Sequence, residues 1–217
     1  MGQVDRKWKP QPVAPPNAPI APPPAPVTEQ RILTAKLSWE LPCADKQVAQ
    51  GAHPERAAWS DYLAGQIWQN LQLFLKATDI NTVFPDWRTL SNVQQCTKLA
   101  ELFCQMAKFE SGWRPAITSI PVGGSMDPKD AATGFFQLNE SDQKNYQTGT
   151  SFTHEELKDP LNNIKAGVGI VVHLLKVKNR ITFTKGLDHG YFFETLLFGA
   201  KYDSIEVILA AVDRLKV

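Results

Sequence analysis

The amino-acid sequence predicts a mainly α-helical fold preceded by a proline-rich tail. Apolar residues recur at three- and four-residue spacing in several long segments, as a buried helix face requires. Few and short segments show the alternation of apolar and polar residues that is typical of a strand, and the prolines concentrate near the start of the chain. With 217 residues, 43% of them hydrophobic, the chain can bury a full core.

The tail is defined by the run from Pro10 to Pro26, which holds nine of the 16 prolines. Such density removes any periodic apolar face and favours an extended polyproline-type segment. We expect residues 1–28 to be a disordered linker or tail, 29–58 an N-terminal extension and 59–217 the folded domain. A spacer and a merely disordered end are equally compatible with this composition.

Three segments carry the strongest helical periodicity. The first begins at Trp59 and continues through Leu75, and the second covers Val93 to Ser111. The third runs from Pro160 to Val177, with Asp159 as its N-cap and the proline in its first turn.

Weaker patterns follow towards the C-terminus. A short aromatic helix is predicted over Tyr191 to Phe198, ended by Gly199, and a final helix over Ser204 to Leu215. Ile181 to Thr184 could form a brief extended piece. The stretch from Trp113 to Lys158 is too rich in Gly, Pro, Asp and Ser to be one helix. Loops of that length within a compact domain are commonly functional.

Composition excludes several classes of protein. The formal net charge of +1 gives no broad basic surface, so we expect no nucleic-acid partner. No apolar run reaches the roughly 18 residues of a membrane span, so stable membrane insertion is not expected. No signal peptide is visible after Met1, so any export signal has been removed or was never present. The spacing of His and Cys residues matches no metal motif, so neither a metal nor a cofactor is predicted.

The three cysteines permit few pairings. Cys96 and Cys104 fall in one predicted helix, about 12 Å apart, which is too far for a disulfide. Cys43 must therefore be one partner of any bridge, and we expect such a bridge. The alternative is three buried free thiols.

Glu110 is the leading candidate for a chemical role. At 100° per residue it falls within about 20° of Leu99, on the side of the second helix that also carries Leu102, Phe103 and Met106. Burial and the helix C-terminus both disfavour a charged carboxylate, so we expect a raised pKa suited to a general acid. Periodicity alone favours a different interpretation, a helix-end glutamate that turns to solvent or pairs with Lys108 or Arg114.

Three ordered segments resemble the lytic transglycosylase and goose-type lysozyme superfamily. They are MAKFESGWRP over 106–115, GFFQL over 134–138 and LKDPLNNIKAGVGIVVHLL over 157–175. The resemblance covers about residues 59–217. It implies a lysozyme-like helical domain with a long cleft-lining loop region and a peptidoglycan glycan strand as substrate. It further implies an exported, periplasmic or secreted enzyme, which we expect to be monomeric.

The resemblance implies roles for individual residues. Glu110 would protonate the scissile oxygen, Ser111 would position the acid or the sugar, and Gln137 would lie at the cleft floor. Gly134 would admit a turn and the close approach of the glycan. In the fourth family motif, usually Ala-Tyr-Asn-Ala-Gly, the chain has Gly190-Tyr191-Phe192-Phe193-Glu194, so Tyr191 is the candidate cleft tyrosine, with Tyr202 as its rival.

The implied reaction breaks the β-1,4 bond between MurNAc and GlcNAc, either by hydrolysis or by lytic transglycosylation. Hydrolases generally use two carboxylates, whereas lytic transglycosylases use one. Glu140 and Asp142 add negative charge after Gln137, which favours a cationic sugar such as deacetylated GlcN. A non-catalytic glycan-binding module on the same fold, or a helical scaffold with a partner-recruiting tail, are the alternatives.

Overall fold

The structure, a computed structural model, is mainly α-helical, as the sequence predicts. It describes residues 32–41, 53–119, 127–184, 193–198 and 204–217. The α-helices in these ranges are α1 (Glu55–Leu75), α2 (Ile80–Val83), α3 (Asn92–Ser111), α4 (Glu140–Asn145), α5 (Pro160–Lys178) and α6 (Ser204–Asp213). One-turn 3-10 helices lie at Ser38–Glu40, Trp87–Thr89, Pro128–Asp130, Glu156–Lys158 and Glu194–Leu196. No helix in the described ranges is long and apolar enough to span a membrane.

Helix α3 is the central helix of the core. Every residue from 95 to 107 is buried, so burial in this helix extends beyond the predicted apolar side. Burial on all sides is possible because the buried polar side chains of α3 find partners, although Gln95 Oε1 has none among the described residues. Gln95 donates to the Trp87 carbonyl at 2.9 Å, and Lys98 donates to Asp86 at 2.7 Å. Satisfied polar groups lose little on leaving water, so periodicity in hydrophobicity understates the burial of this helix.

Two of the other helices, α1 and α6, pack against α3. Helix α1 contacts both α3 and α5, and α6 packs against α3. The predicted bounds of α1, α3, α5 and α6 agree with the structure to within a few residues. The Asp159 side chain accepts the backbone N–H groups of Leu161 and Asn162 at 2.9 and 3.1 Å, which confirms the predicted N-cap of α5.

The segment before α6 departs from the prediction. Leu197–Phe198 forms strand β2, which pairs in parallel with β1 (Phe183–Thr184), and only Glu194–Leu196 makes a single 3-10 turn. The predicted aromatic helix over 191–198 is therefore wrong where the structure describes it, whereas the extended piece near 181–184 is confirmed. Pairing with β1 supplies backbone hydrogen bonds that an isolated short helix could not match.

Part of the predicted N-terminal extension belongs to the core. Trp39 is fully buried, and its indole Nε1 donates to Ser60 Oγ of α1 at 2.6 Å. The buried Glu101 of α3 accepts the Ser38 N–H at 2.9 Å and also the Ser38 hydroxyl. Residues 32–41 are thereby fixed to α1 and α3. The boundary of the tail near residue 28 stays a prediction.

The cysteines favour the alternative of free thiols. Cys96 and Cys104 are both buried and unpaired, so neither bridges to Cys43, which lies outside the described residues. Burial raises the pKa of Cys96 to about 12 and raises that of Cys104 well above its usual range. Both thiols therefore stay protonated and act as packing groups.

Candidate active site

Glu110 lies in the last turn of α3, where the helix meets a sharp change of chain direction. Gly112 and Trp113 both adopt left-handed backbone conformations, with φ of 61° and 59°. Their N–H groups cap the Lys108 and Ala107 carbonyls, and the Trp113 indole donates to the Cys104 carbonyl at 2.7 Å. The helix end is thus held rigidly, and Glu110 is half-buried on it.

Glu110 is contacted by a residue far along the chain. Thr195 Oγ1 donates to Glu110 Oε1 at 3.1 Å. Thr195 is 7% exposed and lies in the 3-10 turn Glu194–Leu196, which packs on α3. A donor at this oxygen restricts the rotamers of the carboxyl group.

Ser111 faces the protein interior. Its side chain is buried, and its Oγ donates to the Ala107 carbonyl one turn earlier at 2.9 Å. The Ser111 carbonyl accepts Arg114 Nε at 2.9 Å. In this geometry Ser111 supports the helix end that carries Glu110. Its predicted contact with acid or sugar stays a prediction.

Gly134 is required by the packing of the protein itself. Its φ is +78°, and a Cβ built there would lie 2.2 Å from Asn163 Nδ2 and 2.8 Å from the Leu157 carbonyl oxygen. The space that a side chain would take is therefore filled by α5 and the segment before it. A non-glycine residue would be strained by its backbone and would also clash.

Gln137 sits in the turn that Gly134 opens. Thr133 and Leu138 exchange backbone hydrogen bonds of 2.9 Å across this turn, and Gln137 has a φ of 49°. Its Nε2 donates to the Gly134 carbonyl at 2.9 Å. Its Oε1 receives no hydrogen bond from any described residue, and the side chain is half-exposed. Oε1 is therefore an available acceptor on an amide group whose orientation is fixed.

Asn163 fastens this turn to α5. It is fully buried, its Oδ1 accepts the Phe136 N–H at 2.9 Å, and its Nδ2 donates to the Thr133 and Leu157 carbonyls at 2.9 and 3.0 Å. Three backbone groups of the loop are satisfied by one amide side chain. The second and third sequence motifs therefore form one hydrogen-bonded unit.

Phe136 connects the motif segments through its ring. It makes edge-to-face contacts with Phe103 of α3 and with Phe193, both at 6.0 Å between ring centroids. A Cβ on Gly167 of α5 would lie 2.4 Å from the Phe136 ring, so the glycine admits the aromatic side chain. Residues from four parts of the sequence therefore meet at the Phe136 ring. One of them, Phe193, lies two residues before Thr195.

The two candidate acids after Gln137 have local structural partners. Asp142 caps the start of α4: its Oδ2 accepts the Asn139 N–H at 2.8 Å, and it is 8% exposed. Burial raises the pKa of Asp142, and the hydrogen bond from Asn139 partly opposes this. Glu140 Oε1 accepts the His154 N–H at 2.7 Å, while the residue stays half-buried.

Tyr191 and its rival Tyr202 lie outside the described residues, so the cleft tyrosine stays a prediction. Sequence reasoning missed two residues that the structure places here, Thr195 and Asn163. Thr195 is separated from Glu110 by 85 positions, and no local pattern marks it. Asn163 stood inside a recognised motif, yet only the structure identifies its partners. No group of three metal-ligating side chains occurs among the described residues.

A family model confirms the resemblance drawn from the motifs. Residues 91–186 match the transglycosylase SLT domain, a span that contains α3, the 134–138 turn and α5. The match supports a peptidoglycan glycosidase activity in general terms. No curated protein matches the sequence.

Solved structures share the fold. Wild-type DslA from Bdellovibrio aligns with a TM-score of 0.65 and 22% identity, covering 86% of this chain and 98% of DslA. Two DslA variants, each with one glutamate replaced by glutamine, align with TM-scores of 0.61 at 23% and 21% identity. The first covers 79% of this chain and 93% of its own, the second 86% and 98%. At these identities the likeness establishes the fold.

Proposed function

We propose that this chain, with its transglycosylase SLT segment over residues 91–186, cleaves the β-1,4 bond between MurNAc and GlcNAc in peptidoglycan, with Glu110 as acid and base. Such an enzyme acts outside the cytoplasm, where its polymer lies. The proposal rests on one observation: Glu110 ends the central helix of the matched segment, half-buried, with a buried hydroxyl donor on one oxygen.

Glu110 is suited to proton transfer because its position is fixed by the fold. The left-handed turn at Gly112 and Trp113 ends α3 directly after it, and Thr195 holds Oε1. A carboxyl group held in one orientation can serve as a general acid when a glycosidic oxygen comes within hydrogen-bond reach.

Gln137 supports the proposal as a sugar-binding residue. Its Nε2 is engaged by the Gly134 carbonyl, so its orientation is set and its Oε1 remains an acceptor for a sugar hydroxyl or amide N–H. Asn163 and Phe136 fix the backbone of the same turn. The turn is therefore pre-organised before substrate binds.

The reaction proceeds in two proton transfers. Glu110 donates its proton to the leaving glycosidic oxygen as the bond to the MurNAc anomeric carbon breaks. The resulting carboxylate then takes a proton from the attacking nucleophile, which is either water or the 6-hydroxyl of the same MurNAc. Water gives a reducing end, and the hydroxyl gives a 1,6-anhydro end, so the two products differ by one water.

Mass spectrometry of digested peptidoglycan tests the activity and its product together. Cleavage at MurNAc with either end group supports the proposal, and the mass identifies the nucleophile. Purified sacculi that yield no soluble fragments across a range of pH would contradict it. Lysozyme-digested sacculi provide the reference masses for reducing ends.

We propose further that the glycan is preferred when its amino sugar is deacetylated. Glu140 supports this: its carboxylate follows Gln137 closely, is half-buried, and uses only Oε1 to accept the His154 N–H from the described residues. The other oxygen can receive an ammonium group. Native and enzymatically deacetylated sacculi, digested side by side, provide the test, and equal rates would overturn this preference.

A further inference from the structure

A polar groove lies along α1 and α5, away from Glu110. It has a volume of about 240 Å³. Its lining comprises Gln66, Asn70, Gln147, Thr148, Lys165, Val168, Gly169, Val172, His173 and Lys176. Among these described residues none carries a carboxylate, and two carry ammonium groups.

The groove results from the spacing of residues on its two helices. Gln66 and Asn70 are four residues apart on α1, and Asn70 Nδ2 donates to the Gln66 carbonyl at 2.9 Å. Lys165, Gly169 and Lys176 follow one another on α5 at helical spacing, so they share one face. Gly169 allows close approach of the 147–148 segment, because a Cβ there would lie 2.8 Å from Thr148 Cβ. Gly169 and Thr148 therefore form a narrow floor between Lys165 and Lys176.

The two lysines are available to a ligand. Lys165 and Lys176 are exposed, and neither forms an ion pair with any described residue. Eleven residues of helix separate them, which corresponds to about 16 Å along the axis. An extended peptide covers that distance with about five residues. The amides of Gln66, Asn70 and Gln147 could pair with peptide groups in between.

Helix register places the groove far from Glu110. Cys96 Sγ of α3 donates to the Ala64 carbonyl of α1 at 3.5 Å. Trp39 donates its backbone N–H to Cys104 Sγ of α3 and its indole N–H to Ser60 Oγ of α1, so Ser60 lies near Cys104. The two helices therefore run antiparallel, and Gln66 and Asn70 lie beyond the end of this contact. Since Glu110 follows Cys96 by fourteen residues, the groove is roughly 20 Å or more from it.

We infer that this groove binds an extended ligand bearing at least two carboxylates, of the chemistry found in the peptide stems of a peptidoglycan strand. The choice of a peptide stem as the ligand rests on the proposed function. The charge and length required of the ligand rest on the groove itself. Binding a stem there while the glycan lies at Glu110 gives the enzyme two contacts on one polymer, which raises its residence on the wall.

Binding can be measured without any glycosidic bond. The probe is a soluble pentapeptide stem, L-Ala-γ-D-Glu-diamino acid-D-Ala-D-Ala, titrated calorimetrically into the full chain at low ionic strength. We expect Lys165→Ala and Lys176→Ala each to weaken binding about ten-fold, as loss of a charge-assisted hydrogen bond does. Amidating the peptide carboxylates should weaken binding by a similar factor.

Lys178→Ala is the matched control, since Lys178 is exposed on α5 but does not line the groove. Unchanged binding in this variant together with loss in the other two supports the inference. It is overturned if the intact chain does not bind the free peptide, if the amidated peptide binds as well, or if all three variants bind alike. Failure to cleave sacculi would instead contradict the proposed function and leave peptide binding intact.

Discussion

Thr195 Oγ1 donates a hydrogen bond to Glu110 Oε1 over 3.1 Å, joining the 3-10 turn before α6 to the last turn of α3. Each end of this contact is fixed independently. The α3 terminus is held by the left-handed pair Gly112 and Trp113, and the 3-10 turn is held by Phe193 against Phe136. The relationship therefore belongs to the packed fold and gives Glu110 a defined orientation.

Replacing Glu110 by Gln should abolish cleavage while preserving the fold. Gln cannot transfer a proton, yet its amide oxygen can still accept from Thr195. We expect the rate of soluble muropeptide release to fall by about a thousand-fold or more. Glu206→Gln is the control, because Glu206 is exposed on α6, and it should keep full activity. Retained activity in Glu110→Gln would refute the assignment.

Thr195→Val should slow cleavage about ten-fold and move the alkaline limb of the pH–rate profile upward. The variant removes the donor at nearly constant volume, so the ionised form of Glu110 loses a hydrogen bond and the protonated acid persists to higher pH. Thr195→Ser restores the hydroxyl and should restore the profile. A rate loss with an unshifted profile would mean that Thr195 acts only through packing.

Gly134→Ala should destabilise the chain by about 3 kcal/mol, because a methyl group meets Asn163 and the Leu157 carbonyl and because φ is +78°. Gly149 has a φ of +74° with nothing within 4 Å of a built Cβ. Gly149→Ala therefore measures the backbone strain alone, about 1 kcal/mol. Urea unfolding of both variants gives the difference, and equal losses would contradict the assigned packing role.

Glu101→Gln should reduce the pH dependence of stability. Burial raises the pKa of Glu101, and the hydrogen bonds from Gln105 and Ser38 only partly oppose it. A carboxyl whose folded pKa is raised contributes stability that is present below its unfolded pKa, roughly 4.3, and lost as pH rises through the folded value. We expect the free energy of unfolding of the variant, measured with urea, to rise relative to that of the wild type between pH 4 and pH 7.

The matching comparison for Glu101 is Glu101→Ala. This variant strands the Ser38 and Gln105 donors and should lose about 3 kcal/mol at pH 4, and the loss should shrink towards pH 7 because the wild type loses stability there. If Glu101→Gln instead parallels the wild type across the pH range, the titration of this group does not contribute to folding stability.

Local sequence predicted the helices well because their information is local. The recurrence of apolar residues with a 3.6-residue period located α1, α3 and α5. Asp159-Pro160 predicted the first residue of α5 correctly. It failed over 194–198, where parallel pairing with β1 outweighs the propensity of aromatic residues. It also gave no sign that Trp39 is buried, because its partners Ser60 and Cys104 are supplied by two other helices.

The same division applies to Glu110. By itself the sequence determined that a carboxyl group ends the second long helix and that three motif segments follow one another in a family order, since both are properties of the linear chain. Only the tertiary structure decided that Thr195 reaches this carboxyl group, that Asn163 fastens the Gly134 turn, and that Ser111 turns inward. The Thr195 and Asn163 contacts join residues 27 to 85 positions apart, so they depend on how helices pack, and packing follows from the whole buried core.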